Sequence, residues 1–190
     1  MAGAVVYWCT GLSGAGKTTL ALAFQAALRA RGRVAHVIDG DELRRGLNAD
    51  LGFSPADRAE ATRRAAHLCQ ALRPYCDAVV VSLITPLPAY RETARAIVPG
   101  MHLVHVSCPL EACVRRDPKG LYRAALAGEI AAFTGVSAPY VAPVAPELTV
   151  DTDGASVGAS TDVLLDHFAS VTRERNAVTV EVGPSSGSAQ

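Results

Sequence analysis

The chain has 190 residues, with 18 basic side chains against 18 acidic ones, so its formal charge is zero. That balance excludes a general binder of nucleic acid or of an anionic membrane surface, and no apolar run reaches the ~20 residues of a membrane span. The length suits one compact α/β domain with a sizeable core and leaves little room for a second.

Read from its start, the chain runs into a buried strand, Val5–Cys9, with no basic-then-apolar leader, which predicts a cytoplasmic protein. Gly11-Leu12-Ser13-Gly14-Ala15-Gly16-Lys17-Thr18 follows, and an Ala/Leu-rich helix is predicted from Lys17 to about Arg31. Gly32 punctuates before a second strand, Val34–Asp39. A short helix and turn is expected over Asp41 to about Asp50. Ser54-Pro55 then starts a helix reaching about Leu72, with proline at its first position. A third strand is predicted at Ala78–Ile84, a helix at Tyr90–Ile97, a fourth strand at Leu103–Ser107 and a helix at Leu110–Arg116. Residues 117–146 read as irregular and Gly/Pro-rich, with a helical piece near Tyr122–Ala127. A fifth strand, Leu148–Asp151, and a closing helix, Thr161–Thr172, complete the pattern. The expectation is one domain over residues 1–175, with a lid at about 117–146. Residues 176–190 form a tail whose end, Gly183–Gln190, is expected to be disordered.

Alternating strands and helices predict a mostly parallel sheet covered on both faces, and the phosphate-loop pattern of Gly11–Thr18 between the first strand and helix makes this the expected α/β architecture of a P-loop NTPase-type kinase. The five cysteines, Cys9, Cys69, Cys76, Cys108 and Cys113, lack C-x-x-C spacing and read as reduced core thiols. His36, His102 and His105 fall in predicted strands without metal-ligand pairing.

The segment Gly11–Thr18 matches the phosphate-loop pattern between a strand and a helix. Backbone N–H groups can close around phosphate oxygens, Lys17 offers a compact cation, and Thr18 offers a hydroxyl to Mg²⁺. The ATP-binding set is therefore Gly11, Leu12, Ser13, Gly14, Ala15, Gly16, Lys17, Thr18 and Thr19. Only Lys17 and Lys119 are lysines among the 18 basic residues, which marks both as places where an ammonium is needed and a planar guanidinium would not serve. Ligands gather beyond the carboxyl ends of parallel strands. Asp39-Gly40-Asp41 and Thr85-Pro86 are expected there too, where one carboxylate of the acidic pair can help hold Mg²⁺ while the other accepts the proton of the attacking hydroxyl. By itself, Asp-Gly-Asp is also ordinary turn chemistry.

Longer blocks carry a resemblance. Residues 39–54 read D-G-D-E-L-R-R-G-L-N-A-D-L-G-F-S and residues 57–64 read D-R-A-E-A-T-R-R. Later come Arg116-Asp117-Pro118-Lys119-Gly120-Leu121-Tyr122, Leu126-Ala127-Gly128-Glu129-Ile130, Phe133-Thr134-Gly135-Val136 and Pro139-Tyr140. In this order they resemble the adenylylsulfate kinase (APS kinase) family over about residues 5–152. The resemblance implies transfer of the ATP γ-phosphoryl group to the 3′-hydroxyl of adenosine 5′-phosphosulfate (APS), giving 3′-phosphoadenylyl sulfate (PAPS). It makes Asp41 the base and sets Arg44, Asn48 and Arg58 on the phosphosulfate end or ribose. Phe53 and Phe133 would sandwich the adenine, Ile84 and Thr85 would line the acceptor pocket, and Lys119 would approach the transferred phosphate from the lid. It also implies a homodimer and an association with ATP sulfurylase.

Three positions depart from the family blocks. Ala61 stands where the family has asparagine. Thr85 replaces a serine described as a phosphorylated intermediate, so it reads as a pocket contact first and a nucleophile second. Leu87-Pro88 replaces a Tyr-Arg pair, with Tyr90-Arg91 just beyond. A lost hydrogen-bond partner alters acceptor preference strongly. Two alternatives therefore stay open: a kinase of the same fold acting on another small-molecule or nucleoside hydroxyl, and a non-catalytic nucleotide-binding partner of a sulfurylase.

Overall fold

The computed structural model describes residues 3–181. Five parallel strands, β1 (Val5–Thr10), β2 (Ala35–Asp39), β3 (Ala78–Ser82), β4 (His102–Ser107) and β5 (Leu148–Asp151), form one sheet in the order β2-β3-β1-β4-β5. Val5 and Ala35 both lie opposite Ala78, Tyr7 opposite His102, and Val104 opposite Leu148. All six β1 residues are buried. Alternation sends Val5, Tyr7 and Cys9 to one core layer and Val6 and Trp8 to the other.

Helices α1 (Lys17–Arg29) and α7 (Val157–Glu181) cover the first layer, where Phe24, Leu164 and Phe168 pack on Tyr7. Phe24 meets the rings of Tyr7 and Phe168 edge to face, at 5.4 and 6.0 Å. The second layer is closed by α3 (Pro55–Leu72) and α4 (Pro88–Ile97), through Ala65, Ala66, Cys69 and Ala94. Two shorter helices, α2 (Gly40–Arg45) and α5 (Leu110–Arg116), follow β2 and β4, and α6 (Leu121–Leu126) lies in the lid segment.

Most sequence boundaries hold within two residues, because local signals set them. Ser54 accepts from the Asp57 N–H and the Asp57 carboxylate accepts from the Ser54 N–H, a reciprocal cap with Pro55 at the first position. The first helix ends at Arg29, two residues early, where the N–H groups of Arg31, Gly32 and Arg33 fold back onto Leu28 and Arg29 carbonyls. The third strand stops at Ser82 rather than Ile84, because Thr85 adopts a left-handed backbone (φ 37°) that no strand accommodates. Pro88 starts α4 two residues before the expected Tyr90. The closing helix is the largest correction. It begins at Val157, where Ser156 Oγ accepts from the Ala159 N–H, and continues to Glu181, past the expected Thr172. The expected disorder of Gly183–Gln190 lies outside the described residues.

Candidate active site

The carboxyl ends of β1, β2 and β3 open into one crevice, where the phosphate loop meets the acidic turn and the Thr85 turn. Gly11 leaves β1 so close to β4 that a Cβ there would stand 2.5 Å from the Val106 carbonyl oxygen. The loop then turns into α1, whose leading residue Gly16 supplies no side-chain cap, so the helix presents its first N–H groups to the loop. Lys17 is buried, and its ammonium donates to the Gly11 and Leu12 carbonyls at 3.0 and 2.7 Å. Burial lowers its pKa to about 8; the Cys9 and Cys113 thiols and the Asp39 and Asp41 carboxylates act in the opposite direction. The two acids thus lie within electrostatic reach of Lys17.

Asp39 performs two tasks at the end of β2. Its Oδ1 accepts from the Asp41 N–H at 2.9 Å, capping α2, and its Oδ2 accepts from Thr18 Oγ1 at 2.7 Å. Ser82, the last residue of β3, brings its hydroxyl to 3.1 Å from Thr18 Oγ1. The Asp39 carboxylate and the Thr18 and Ser82 hydroxyls are hard oxygen donors that fit Mg²⁺, an ion held through one or two carboxylates and otherwise by water and phosphate. Asp41, one residue into α2, carries a half-exposed carboxylate paired with the Lys119 ammonium. The lid therefore closes onto the acidic turn.

Around this centre, Arg44 stacks its guanidinium 4.0 Å above the Phe53 ring and donates to the Leu51 and Gly52 carbonyls. Arg58 donates to the Phe53 carbonyl at 3.0 Å, the Ala132 carbonyl at 2.9 Å and Thr134 Oγ1 at 3.3 Å. It thereby joins the loop bearing Phe53 to the lid residues on either side of Phe133. The two aromatics differ in setting. Phe53 is largely exposed, whereas Phe133 is buried and packs edge to face on Tyr122 at 5.1 Å. Asn48 is 2% exposed, and its Oδ1 has no hydrogen-bond partner, an arrangement that favours a ligand donor arriving there.

Thr85 is buried, its hydroxyl accepts from Trp8 Nε1 at 3.2 Å, and the Ile84 carbonyl accepts from Thr10 Oγ1 at 2.7 Å. The Thr85 hydroxyl is thus held inside the turn by the Trp8 indole. Ala61 is buried in α3 and offers no polar atom beyond its backbone. The lid is pinned at several points. Tyr122 donates to the Ser13 carbonyl at 3.0 Å, and Leu12 and Leu110 line a pocket of about 500 Å³ together with the lid residues Gly135 to Tyr140.

Sequence reasoning missed Thr10, Ser82 and Arg116. Thr10 and Ser82 shared one readable signal: each is a hydroxyl residue ending an otherwise apolar strand. Arg116 lies across the loop's outer side, donating to the Thr152 carbonyl at 2.6 Å and reaching the Gly14 carbonyl at 3.5 Å. Thr152 in turn donates to the Ala15 carbonyl at 2.9 Å. Nothing in the sequence around Thr152 marked it.

Comparison with known proteins agrees with this geometry. The family model described as adenylylsulphate kinase matches residues 3–151. An adenylyl-sulfate kinase of Paraburkholderia xenovorans is 49% identical over 172 residues, covering 90% of this chain and 96% of that protein. The bifunctional enzyme NodQ of a Rhizobium strain is 46% identical over 166 residues, 85% of this chain but only 26% of NodQ. Among solved structures, the Mycobacterium tuberculosis APS kinase CysC in complex with AMPPNP and APS superposes with a TM-score of 0.82 at 44% identity, covering 86% of this chain and 96% of that one. The chain belongs to the adenylylsulphate kinase family.

Proposed function

We propose that this member of the adenylylsulphate kinase family transfers the γ-phosphoryl group of ATP to the 3′-hydroxyl of APS, yielding PAPS and ADP in sulfate activation. The observation that carries the reading is the meeting of Lys17, the Thr18–Asp39 pair and the Asp41–Lys119 pair at the ends of adjacent strands. Phosphoryl transfer needs positioning and charge neutralisation more than covalent help, and this constellation supplies both.

In the mechanism, residues 11–19 take the triphosphate, and Lys17 exchanges its carbonyl partners for phosphate oxygens. Thr18 and Asp39 would hold Mg²⁺, which would supply charge neutralisation on the triphosphate. Phosphate drawing on the Lys119 ammonium releases the Asp41 carboxylate, which accepts the proton of the attacking 3′-hydroxyl. Arg44, Asn48 and Arg58 receive the anionic and ribose portions of the acceptor, and the Phe53 and Phe133 rings grip the purine by its faces. Ile84 and Thr85 wall the pocket. The lid, residues 117–146, excludes water so that ATP is not hydrolysed before the acceptor arrives.

Residues 1–175 act as one kinase domain in this reading, working in the cytoplasm as a homodimer. A similar segment makes up 26% of the bifunctional enzyme NodQ, which fits a kinase that works beside a second activity, here taken as a sulfurylase partner. No helix among the described residues is long and apolar enough to cross a membrane. The deciding experiment incubates purified protein with ATP, Mg²⁺ and APS. Equimolar PAPS and ADP are expected; absence of PAPS, alongside turnover of another alcohol, overturns the assignment. The buried Ala61, where the family has asparagine, is what favours testing other nucleoside hydroxyls beside APS.

A further inference from the structure

Phosphoryl transfer as described leaves the buried Arg91 and the half-buried Tyr140 without a role. Arg91 is only 5% exposed, and its guanidinium bonds go to carbonyls rather than to a carboxylate: Val141 at 2.8 Å and Thr85 at 3.5 Å. Tyr140 places its hydroxyl 3.2 Å from Thr10 Oγ1 and stacks on His105, with ring centroids 6.4 Å apart. Both residues sit where the lid's C-terminal leg crosses the turn after β3.

That turn is strained. Thr85 is left-handed without being glycine, a conformation that persists only where its surroundings over-determine it. Here they do. Thr10 Oγ1 lies within bonding distance of both the Ile84 and Thr85 carbonyls, Trp8 holds the Thr85 hydroxyl, and the Val141 N–H donates to the Pro86 carbonyl at 2.9 Å. Tyr140 and Arg91 complete the ring of contacts from the lid and helix sides. Pro88 starts α4, and Arg91 follows one turn later facing the core, while Tyr90 ties the helix to α3 through the Pro55 carbonyl at 3.1 Å.

We propose that Arg91 and Tyr140 are positioning residues for the acceptor: they lock the lid's exit onto the Thr85 turn, so that lid closure and the shape of the acceptor pocket are set together. The proposal rests on the phosphoryl-transfer reading for its substrate but not for its geometry. One wall of the acceptor pocket is the Ile84–Pro86 turn, and the same lid carries Phe133 and Lys119 upstream. Loosening the clamp moves acceptor contacts, while the phosphate loop keeps anchors of its own, the Lys17 bonds to the Gly11 and Leu12 carbonyls and the Tyr122 bond to the Ser13 carbonyl.

The test compares full-length wild type with Tyr140→Phe, which removes one hydroxyl, and Arg91→Lys, which keeps the charge but loses the forked donor. Each variant is expected to raise KM for APS by about 2- to 12-fold, the span of one net hydrogen bond, with KM for ATP within about twofold. Hydrogen exchange of the ligand-free proteins is expected to quicken by a similar factor in the peptides covering 83–87 and 139–143. If Arg91→Lys fails to fold, Tyr140→Phe decides alone. Should the wild type form no PAPS, the function has failed and the exchange arm still decides the clamp. Unchanged exchange in both segments overturns the proposal. So does KM rising equally for both substrates, or faster exchange with KM for APS unmoved, which reduces the pair to a structural pin.

Discussion

Replacing Asp41 with asparagine separates chemistry from binding and from folding. The Asp41 and Lys119 side chains are 56% and 55% exposed, so their ion pair adds no more than about 1 kcal/mol to stability. The helix cap belongs to Asp39, and the Asp41 N–H that satisfies it survives the substitution. Thermal unfolding is therefore expected to shift by no more than ~2–4 °C, the equivalent of about 1 kcal/mol for a chain of this size. The phosphate loop makes its contacts without the Asp41 side chain, so the Kd for AMPPNP should change by less than about threefold. Loss of the proton acceptor costs about 10²- to 10⁴-fold in kcat, or ~2.7–5.4 kcal/mol at about 1.36 kcal/mol per decade. Single-turnover PAPS formation at saturating ATP and APS, paired with calorimetric titration of AMPPNP, reads both quantities. A fall in kcat below tenfold would refute the base assignment. Equal losses in kcat and nucleotide affinity would instead move Asp41 into the metal shell.

Lys17 should make ATP affinity pH-dependent. It titrates at about 8 in the free protein and higher once paired with phosphate, so the complex binds more protons. Affinity is then full below about pH 8 and weakens above it, by up to tenfold per pH unit; a flat calorimetric profile between pH 7 and 9.5 would contradict this. Lys17→Ala should weaken nucleotide binding and turnover together, and kinetics equal to wild type would dismiss the phosphate-loop assignment. At the opposite end of the sheet, Tyr7 and His167 share a 3.0 Å hydrogen bond, and His102 meets His167 edge to face. Burial holds both histidines below their ordinary pKa. Because the unfolded chain protonates first, their contribution is intact above about pH 6.5 and lost as pH falls through the folded values. Melting temperatures from pH 7.5 to 5 should decline, and His167→Gln should flatten the slope. Gly135→Ala would force a side chain into a left-handed backbone (φ 91°) with its Cβ 2.9 Å from Leu12 Cδ2. It should cost about 1–3 kcal/mol in urea denaturation; a neutral result would mean that the lid stands off the loop in solution.

The parts of this protein that were legible in its sequence are those governed by neighbours along the chain. Ser54-Pro55 and Asp57 start α3 by bonds spanning three residues, and buried strands announce themselves as apolar runs between glycine and proline punctuation. The phosphate loop needs only contiguous glycines, Lys17 and Thr18. Hence the succession of strands and helices along the chain, the crevice and the acidic turn could all be anticipated. The exceptions came where local preference was overruled. Thr85 ends β3 early because bonds from Trp8 and Thr10, more than seventy residues away, fix its left-handed backbone.

Tertiary structure alone decided the rest. Ser82 reaches Thr18 across 64 residues, Arg58 bridges the Phe53 loop to the lid across 74, and Thr10 meets Tyr140 across 130. No periodicity or spacing encodes such pairings, since each depends on which strands become neighbours and on where a lid lands after folding. Phe133 shows the same division within one residue: its aromatic character is written in the sequence, but whether its ring lies open or against Tyr122 follows from the packing of the whole domain.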